Sequence, residues 1–330
     1  MKIAYKQHHA SQIEKILSAL PKGASKTLQT FVDVFYAKVP VSDLEAMEPK
    51  QAVALAQSAF EFMQKREPGE PQIRIFTPDK KPHGYECRST VIELINDDMP
   101  FLIDSLSAEL ARHGFTVRET LHPTFKIARD KKGELLSVAP EEDARAEGPV
   151  ESLIHFEISA LPEGLSVEQL LGDLRWVLSH IKVSVADWQP IVAQVKAHIF
   201  NLGQLRHHSK ADIKEVQDFL EWLVDRNFIF LGYSEYDFLG AKGQETLEPV
   251  KKSRLGILKI ADELSARELE AQHFLHVPQL IEVTKSGRRS AVHRPVPIDY
   301  IGLKRFDDKG RVIGEARFLG LFTSNVYYQS

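Results

Sequence analysis

Cysteine is nearly absent from this sequence. Cys87 is the single one among 330 residues, so no internal disulfide bond can form. A chain without disulfides is compatible with a reducing cytoplasm. The start, MKIAYKQHHASQIEK, lacks the apolar core of a secretory signal peptide, and no uncharged apolar run approaches the roughly 20 residues that span a bilayer. We therefore expect a cytoplasmic protein without a membrane segment.

The short motifs that usually mark a catalytic site are also missing. No two glycines stand two positions apart, which argues against the dinucleotide-binding loop, where such glycines let the backbone approach the pyrophosphate. The sequence has no Gly-Lys-Ser/Thr phosphate loop, no Gly-x-Ser-x-Gly elbow and no His-Glu-x-x-His zinc motif. We expect no catalytic residue, no cofactor site and no metal site in this chain.

Charge of one sign is not in excess. The chain has 42 basic and 46 acidic residues, a formal net charge of −4, and 43% of its residues are hydrophobic. These values are ordinary for a globular protein. They give no reason to expect nucleic acid or an anionic membrane as a partner.

Sequence periodicity divides the chain into three segments, 1–66, 67–208 and 209–330. The first carries helical apolar stripes, with interruptions near Pro21 and Pro40 and a linker-type EPGEP run after it. We predict helices that pack on the next domain. The stripes are Ile13, Ile16, Leu17 and Leu20; Leu28, Phe31, Val32 and Phe35; and Ala52, Ala54, Leu55, Ala59, Phe60 and Met63.

The second segment, residues 67–208, alternates between strand and helix patterns in the order β-α-β-β-β-α, after a strand-like lead-in at 73–75. A further helical stretch follows. This order predicts an α+β domain. The predicted elements are strands over 87–96, from 115, and over 124–128, 134–138 and 152–158, and helices from Asp98, over 167–178 and over 187–201.

The third segment, residues 209–330, is dominated by strand patterns. Ser209 and Asp212 form a capping box that opens a helix, and Ser265 and Glu268 form a second one. An aromatic strand is predicted over 227–238 and another strand over 280–284. Asp-Asp-Lys-Gly at 307–310 predicts a hairpin with long arms over 298–306 and 311–322. We predict an antiparallel sheet with few helices.

The acidic turn at residues 96–100 is the strongest candidate binding site. Asp98 is a favourable N-cap, and Pro100 is tolerated in the first turn of the helix that follows. Free N–H groups at a helix N-terminus favour anions, so this turn could hold the carboxylate of a small amino acid whose ammonium Asp97 and Asp98 attract. Plain helix capping is the alternative. The candidate effector-binding residues are Asn96, Asp97, Asp98, Met99 and Pro100.

Basic side chains near the end of the chain form a second candidate. They could receive an anion, or they could pair with acids of the same region or form a docking face for more protein. The basic residues are Arg288, Arg289, His293, Arg294, Arg305, Arg311 and Arg317, and the acids are Asp299, Asp307, Asp308 and Glu315.

Histidine and cysteine give no metal site by their spacing. The pairs His8-His9 and His207-His208 are adjacent, so their side chains point apart and do not form a clamp. Neither pair has spaced carboxylate or cysteine partners, and we interpret both as solvated surface. Cys87 stands beside a buried strand and is predicted to be a core residue.

One string of this sequence resembles the opening of ACT domains. In that family of regulatory, amino-acid-binding domains, a strand leads to Asp-x-Pro-Gly and a helix. The string is INDDMPFLIDSLSAELARHGFTV, residues 95–117. The resemblance implies a ferredoxin-like α/β sandwich of order β-α-β-β-α-β. Phe101 stands where the family favours glycine, and a bulky side chain there could fill the effector pocket. The last strand is not obvious after the second helix, and residues 73–75 or an edge elsewhere could replace it.

Most of the chain resembles the N-terminal region of the large bacterial NAD-specific glutamate dehydrogenases. The strings that carry the resemblance are NDDMPFLIDS (96–105), NFIFLGY (227–233), HRPVPIDYIGLKRFD (293–307) and GEARFLGLFTSNVY (314–327). This resemblance implies N-terminal helices, an ACT-like sandwich and then a PAS-like antiparallel domain over 209–330. The catalytic core of that family, which uses NAD, lies far downstream, so no catalytic or NAD-binding residue carries over.

The function that this resemblance implies is regulation and assembly without catalysis. The chain would be the N-terminal regulatory and oligomerisation fragment of an enzyme that converts L-glutamate, NAD and water to 2-oxoglutarate, ammonia and NADH. Its partners would be copies of itself, the downstream domains and an amino-acid effector. The alternatives are a self-standing ACT-PAS amino-acid sensor and an enzyme with an unrecognised site.

Overall fold

The computed structural model describes residues 2–206, 208–239, 246–260 and 277–323. It contains two compact units, Met1–Met99 with Leu106–Trp176, and Pro100–Ser105 with Val177–Ser330. The helical segment 1–66 therefore shares a unit with the domain predicted to start at 67. The division into 1–66, 67–208 and 209–330 stays a prediction.

Four helices begin the first unit: α1 (Lys2–Ser18), α2 (Lys26–Tyr36), α3 (Val41–Ala46) and α4 (Pro49–Met63). Side chains fix two of their starts. The Ser25 hydroxyl accepts a hydrogen bond from the Leu28 amide, and the Glu48 carboxylate accepts one from the Gln51 amide just before Pro49. The breaks lie near Pro21 and Pro40, as predicted from the sequence.

The apolar stripes of these helices form one core with the sheet that follows. Phe31 of α2 stacks on Phe125 of that sheet, with 5.0 Å between ring centroids. Tyr36 is fully buried and donates its hydroxyl to the Ala52 carbonyl. The predicted packing of the helical segment on the next domain is confirmed by this shared core, which includes Ile16, Phe31, Val32, Phe35, Ala56, Ala59, Met63, Ile95, Phe125, Ile127 and Leu153.

The sheet of the first unit is antiparallel, with the order β1-β2-β6-β4-β5 and β3 also paired with β6. The central strands β2 and β6 are buried along nearly their whole length, which indicates that both faces of the sheet are covered there. The elements are β1 (Gln72–Phe76), α5 (Lys80–His83), β2 (Thr90–Asp97), α6 (Leu102–Arg112), β3 (Val117–Leu121), β4 (Thr124–Arg129), β5 (Leu135–Pro140), β6 (Val150–Ile158) and α7 (Val167–Leu202).

The strand missing from the predicted sandwich is β1. It pairs antiparallel with β2 from Gln72 opposite Ile95 to Phe76 opposite Val91. A segment that comes before the sandwich in the sequence thus supplies an edge strand beside β2. This is the first of the two alternatives that the sequence left open, and it makes the sheet complete without a strand after the second helix.

Two predicted helix boundaries in this region are wrong. Helix α6 begins at Leu102, not at Asp98. The helices predicted over 167–178 and 187–201 are one 36-residue helix, α7, that contains Pro190. The residues between the two predictions, SHIKVSVA, include no glycine or proline, and Ile181 and Ser184 are buried. Nothing local therefore ends the helix there.

The second unit combines the end of α7 with α8 (Lys210–Trp222) and a second antiparallel sheet. The Ser209 hydroxyl caps α8 by accepting a hydrogen bond from the Asp212 amide, as the capping box predicted. The sheet has the order β10-β11-β12-β7-β8, with β9 paired to β7. Its strands are β7 (Phe228–Leu239), β8 (Thr246–Pro249), β9 (Leu255–Gly256), β10 (Ile281–Arg289), β11 (Pro297–Phe306) and β12 (Val312–Phe322).

The predicted hairpin joins β11 and β12. Asp307 accepts hydrogen bonds from the amides of Lys309 and Arg311, and Gly310 has a φ of 75°, so the turn uses the residues that favour it. The second capping box, Ser265 and Glu268, lies outside the described residues. The core of this unit includes Ile191, Val195, Ile213, Leu220, Phe230, Ile301 and Phe318.

The fold class is therefore α+β, with N-terminal helices and two antiparallel sheets, as predicted. The PAS-like assignment of residues 209–330 stays a prediction. Among the helices in the described ranges, none is both long enough and apolar enough to cross a membrane, and this includes the long helix α7.

Candidate functional site

The candidate turn lies between β2 and α6. Asn96 is buried at the end of β2 and donates its side-chain amide to the Asp97 carbonyl. The Asp98 amide donates to the Val150 carbonyl at 2.9 Å, and the Asp98 carboxylate accepts from the Ser152 hydroxyl at 2.5 Å. The prediction that Asp98 caps the helix is wrong, because its side chain bonds to β6 and the helix begins four residues later.

Asp97 forms an ion pair with a buried arginine. The Arg66 guanidinium, whose side chain is 2% exposed, lies 2.8 Å from the Asp97 carboxylate and 3.1 Å from that of Glu151. Arg129 binds both oxygens of Glu151 at 2.9 Å. Buried charges need such partners. The Asp97 carboxylate therefore helps to neutralise Arg66, which weakens its attraction for a ligand ammonium.

A short polar chain continues from Asp98. Ser152 donates to Asp98, and the His122 ring nitrogen Nε2 lies 3.0 Å from the Ser152 hydroxyl. Burial lowers the pKa of His122, against the opposing charge of Asp98. His122 is thus neutral at pH 7, and the turn carries the negative charge of Asp98 at its solvent-exposed end.

The rest of the turn has a left-handed backbone at Phe101, the position where the sequence departs from the expected glycine. Met99 is half-buried and Pro100 is exposed. Phe101 has a φ of 73°, which lies in the left-handed region that only glycine adopts without strain. Its ring packs on that of His293, with 5.3 Å between centroids. A phenylalanine thus occupies a backbone conformation in which glycine would be unstrained.

His293 makes further contacts within the second unit. Its backbone amide donates to the Ser105 hydroxyl at 2.9 Å, and its ring nitrogen Nδ1 lies 3.0 Å from the Asp104 carboxylate. Ser105 and Asp104 precede His293 by 188 and 189 residues in the sequence. No local pattern could have identified them, and sequence reasoning missed them.

The other basic residues of the second candidate are largely paired internally. Arg305 lies 2.9 Å from Glu235 and 2.7 Å from Asp237. Arg311 pairs with Asp307 at 2.7 Å. Arg317 pairs with Glu315 at 3.1 Å, and its guanidinium lies 3.8 Å from the centroid of the Tyr236 ring. The predicted ion pairing is confirmed for Arg311 and Arg317, whereas Arg305 pairs with acids of β7 that the sequence did not suggest.

The histidine pair His8-His9 has separate partners, as predicted, whereas Cys87 differs from its prediction. His8 lies 2.7 Å from the Glu45 carboxylate, whereas His9 contacts the Val39 carbonyl, so the adjacent rings have separate partners. His207 lies outside the described residues. Cys87 is half-buried rather than in the core. Burial raises the pKa of its thiol, which makes it a poor nucleophile.

A buried ion-pair cluster in the first sheet escaped the sequence reasoning. Glu93 of β2 is fully buried, with Arg74 Nε at 2.7 Å and His155 Nδ1 at 3.0 Å. Burial disfavours the charged carboxylate, but the hydrogen bonds and charges of His155 and Arg74 outweigh it and lower the pKa of Glu93. One signal was present, because Glu93 interrupts the apolar run TVIELIND.

The second unit contains a polar cavity of about 500 Å³ beside the end of α7. His198 and Glu235 line it, and Tyr233 connects them: its hydroxyl donates to Glu235 at 2.8 Å and lies 2.9 Å from His198 Nε2. Burial lowers the pKa of His198 to about 4. The cavity can accept a small polar molecule, with Arg206, Lys304 and Arg305 also on its walls.

Comparison with known proteins gives the family. Residues 31–174, which include the candidate turn, match the ACT1 domain of glutamate dehydrogenase. The NAD-specific glutamate dehydrogenase of Halomonas elongata is 36% identical over 326 residues, which are 96% of this chain and 20% of that enzyme. The chain is homologous to a part of the NAD-specific glutamate dehydrogenases.

Other members of the family agree. The NAD-specific glutamate dehydrogenase of Pseudomonas aeruginosa is 31% identical over 91% of the chain, and that of Mycobacterium tuberculosis is 27% identical over 51%. The chain spans about one fifth of the length of the first two of these relatives. The resemblance seen in the sequence, to an ACT domain within the N-terminal region of these dehydrogenases, is confirmed.

Proposed function

We propose that this chain is the non-catalytic N-terminal regulatory and oligomerisation region of a cytoplasmic, NAD-dependent glutamate dehydrogenase. The parent enzyme would convert L-glutamate, NAD and water to 2-oxoglutarate, ammonia and NADH. The observation that carries this proposal is the match of 96% of the chain to one fifth of such an enzyme, with an ACT1 domain inside the matched region. The lack of a dinucleotide-binding glycine motif supports it.

Assembly is the part of the proposal that the strands support. Strand β5 lies at the edge of the first sheet, and its Leu136 side chain is 64% exposed. An exposed strand edge with an apolar side chain is a surface on which a second chain can pair. A homo-oligomer formed through such an edge would use the same patch on each copy.

Effector sensing is supported less by the turn at 96–100 than by the ACT1 match. Asp97 is paired with Arg66, and Phe101 stands at the glycine position. A self-standing amino-acid sensor is the second candidate function, and the polar cavity beside His198 is the observation that favours it. In that case the chain would signal to a partner without any link to glutamate oxidation.

Two assays on the 330-residue chain test these proposals. With L-glutamate and NAD, the chain alone should form no NADH, and steady NADH formation would refute a non-catalytic region. In calorimetric titration with L-glutamate, aspartate and other amino acids, binding that Asp98→Asn abolishes would assign the effector to the turn. Binding that survives this change and disappears in His198→Ala would assign it to the cavity instead.

A further inference from the structure

Three side chains of the first unit direct ligand atoms to one point. Glu109 and His113 are four residues apart at the end of α6, so they share a helix face. Asp173 comes from the second turn of α7. His113 Nε2 lies 2.8 Å from Asp173 Oδ2 and 3.3 Å from Glu109 Oε1. All three atoms lie within 4.8 Å of one another.

A positive charge already occupies the centre of this group. Arg112 Nη2 lies 3.0 Å from His113 Nε2 and 3.4 Å from Asp173 Oδ2, and it also contacts Glu109. One nitrogen therefore touches every donor of the group. Glu109, His113 and Asp173 thus supply three donors around one cation, which in this structure is the Arg112 guanidinium. We call this arrangement the cage.

Burial distinguishes the cage from its occupant. The side chains of Glu109 and His113 are 9% and 11% exposed, whereas that of Arg112 is 59% exposed. The Asp173 side chain is 33% exposed, so two of the three donors are largely buried while the arginine lies toward solvent. A long, solvated side chain is a weak competitor, because holding it in one geometry costs rotamer entropy.

We propose that Glu109, His113 and Asp173 bind a divalent transition-metal ion of the zinc type, which displaces the Arg112 guanidinium. One imidazole nitrogen and two carboxylate oxygens are a donor set that suits Zn²⁺ at about 2.0–2.2 Å, with water as the fourth ligand. Donor atoms in such a tetrahedron lie roughly 3.3 Å apart. The two separations from His113 Nε2, 2.8 Å to Asp173 and 3.3 Å to Glu109, are close to this value. Calcium and magnesium prefer oxygen ligands alone and do not fit His113.

The metal would join the end of α6 to the start of α7. In this structure His113 and Arg112 already contact Asp173 across these two helix ends, and α6 begins just after the candidate turn. A bound ion would raise the stability of the folded chain by mass action. This role is independent of the proposed regulatory function, because it does not require the chain to belong to an active enzyme.

Titration of the metal-free 330-residue chain with Zn²⁺ tests the site, with calorimetry for affinity and Co²⁺ absorption for the ligand set. His113→Ala and Asp173→Asn should each weaken binding by more than about tenfold, since even the loss of an outer-shell partner costs that much. Arg112→Ala should strengthen binding severalfold, because it removes the competing cation. Thermal unfolding without metal shows whether each variant is folded.

The matched control is His8→Ala. His8 also contacts a carboxylate, that of Glu45 at 2.7 Å, but as an exposed pair with two donors rather than three. This change should leave Zn²⁺ affinity unaltered. Equal affinity in the wild type and His113→Ala would overturn the proposal. So would a failure of Arg112→Ala to bind Zn²⁺, because the cluster would then be an ion-pair network only.

Discussion

At the scale of single residues, Phe101 is the least expected feature. A left-handed backbone costs a residue other than glycine about 1–2 kcal/mol, and Phe101 has a φ of 73°. Sequence comparison with ACT domains located this position but could not supply its conformation. The φ value places a bulky side chain between β2 and α6 in a conformation that glycine adopts without strain.

Replacement of Phe101 by two small residues separates strain from packing. Both Phe101→Ala and Phe101→Gly remove the ring contact with His293, but only glycine relieves the backbone. We expect Phe101→Gly to be more stable than Phe101→Ala by about 1 kcal/mol, measured by urea denaturation. At Ser107 inside α6 we expect the opposite order: Ser107→Ala should be more stable than Ser107→Gly, since alanine favours a helix. The same order at both positions would contradict the assigned conformation.

His198 makes stability depend on pH. Its pKa is lowered to about 4 by burial, whereas an unfolded histidine titrates near 6.5. Between these values the unfolded chain binds the additional proton, so stability falls as pH is lowered from about 6.5 to 4. The loss attributable to His198 is at most about 3 kcal/mol.

Denaturation of the wild type and His198→Asn across pH 4–7 measures this effect. The difference in unfolding free energy between the two should shrink as pH falls, because only the wild type loses stability through this group. His8→Asn, which changes an exposed histidine, should track the wild type. A difference that stays constant from pH 7 to pH 4 would show that His198 is not held neutral.

Residue-level chemistry was predictable only where partners are close in sequence. The Ser209 cap and the Asp307 turn were found because three- and four-residue spacings fix their geometry. The pairs of Arg66 with Glu151 and of Asp104 with His293 depend on how distant elements meet. Charge alone likewise could not reveal that Asp97 pairs with Arg66, which lies outside its local sequence.

At the scale of elements, the sequence patterns predicted most strands of both sheets. Only the structure shows which strands pair with each other. Strand β1 was visible as Ile73 and Ile75 alternating with Arg74, yet its neighbour could not be deduced from period alone. Helix α7 was divided in error because a gap in the leucine stripe was interpreted as an end. Boundaries without glycine, proline or a cap remain the weakest part of such predictions.

Close backbone contacts around the first sheet provide a test of its loops. Gly148, before β6, has a φ of 106°, and a Cβ there would lie 2.0 Å from the Ile127 carbonyl oxygen. Gly164 also has a positive φ, 86°, but nothing lies within 4 Å of its Cβ position. We expect Gly148→Ala to cost about 1–3 kcal/mol more than Gly164→Ala, by thermal unfolding. Equal costs would mean that the loop does not approach β4 as described.

At the scale of the whole molecule, the function rests on family membership and on surfaces rather than on a catalytic constellation. The sequence alone reached the resemblance through long matching strings, and its predicted α+β class is confirmed. It could not reveal the cavity beside His198 or the cage around Arg112, since both assemble from separate elements. Assembly remains the property that most directly decides between a regulatory region and an independent sensor.

A substitution in the edge strand β5 tests whether this strand takes part in self-association. Leu136→Asp places a charge on the exposed edge and should weaken self-association at least tenfold, because a charge on a strand edge opposes pairing. Ile260→Asp, which charges another exposed apolar residue outside the strands, should not. An identical association constant for both variants and the wild type would place the interface elsewhere.

The most direct test of the central claim is the mass of the wild-type chain in solution, measured by sedimentation equilibrium at micromolar concentration. An oligomerisation region should sediment as a stable multiple of the single-chain mass. A single-chain mass over the whole concentration range would contradict the claim that this chain holds an enzyme together.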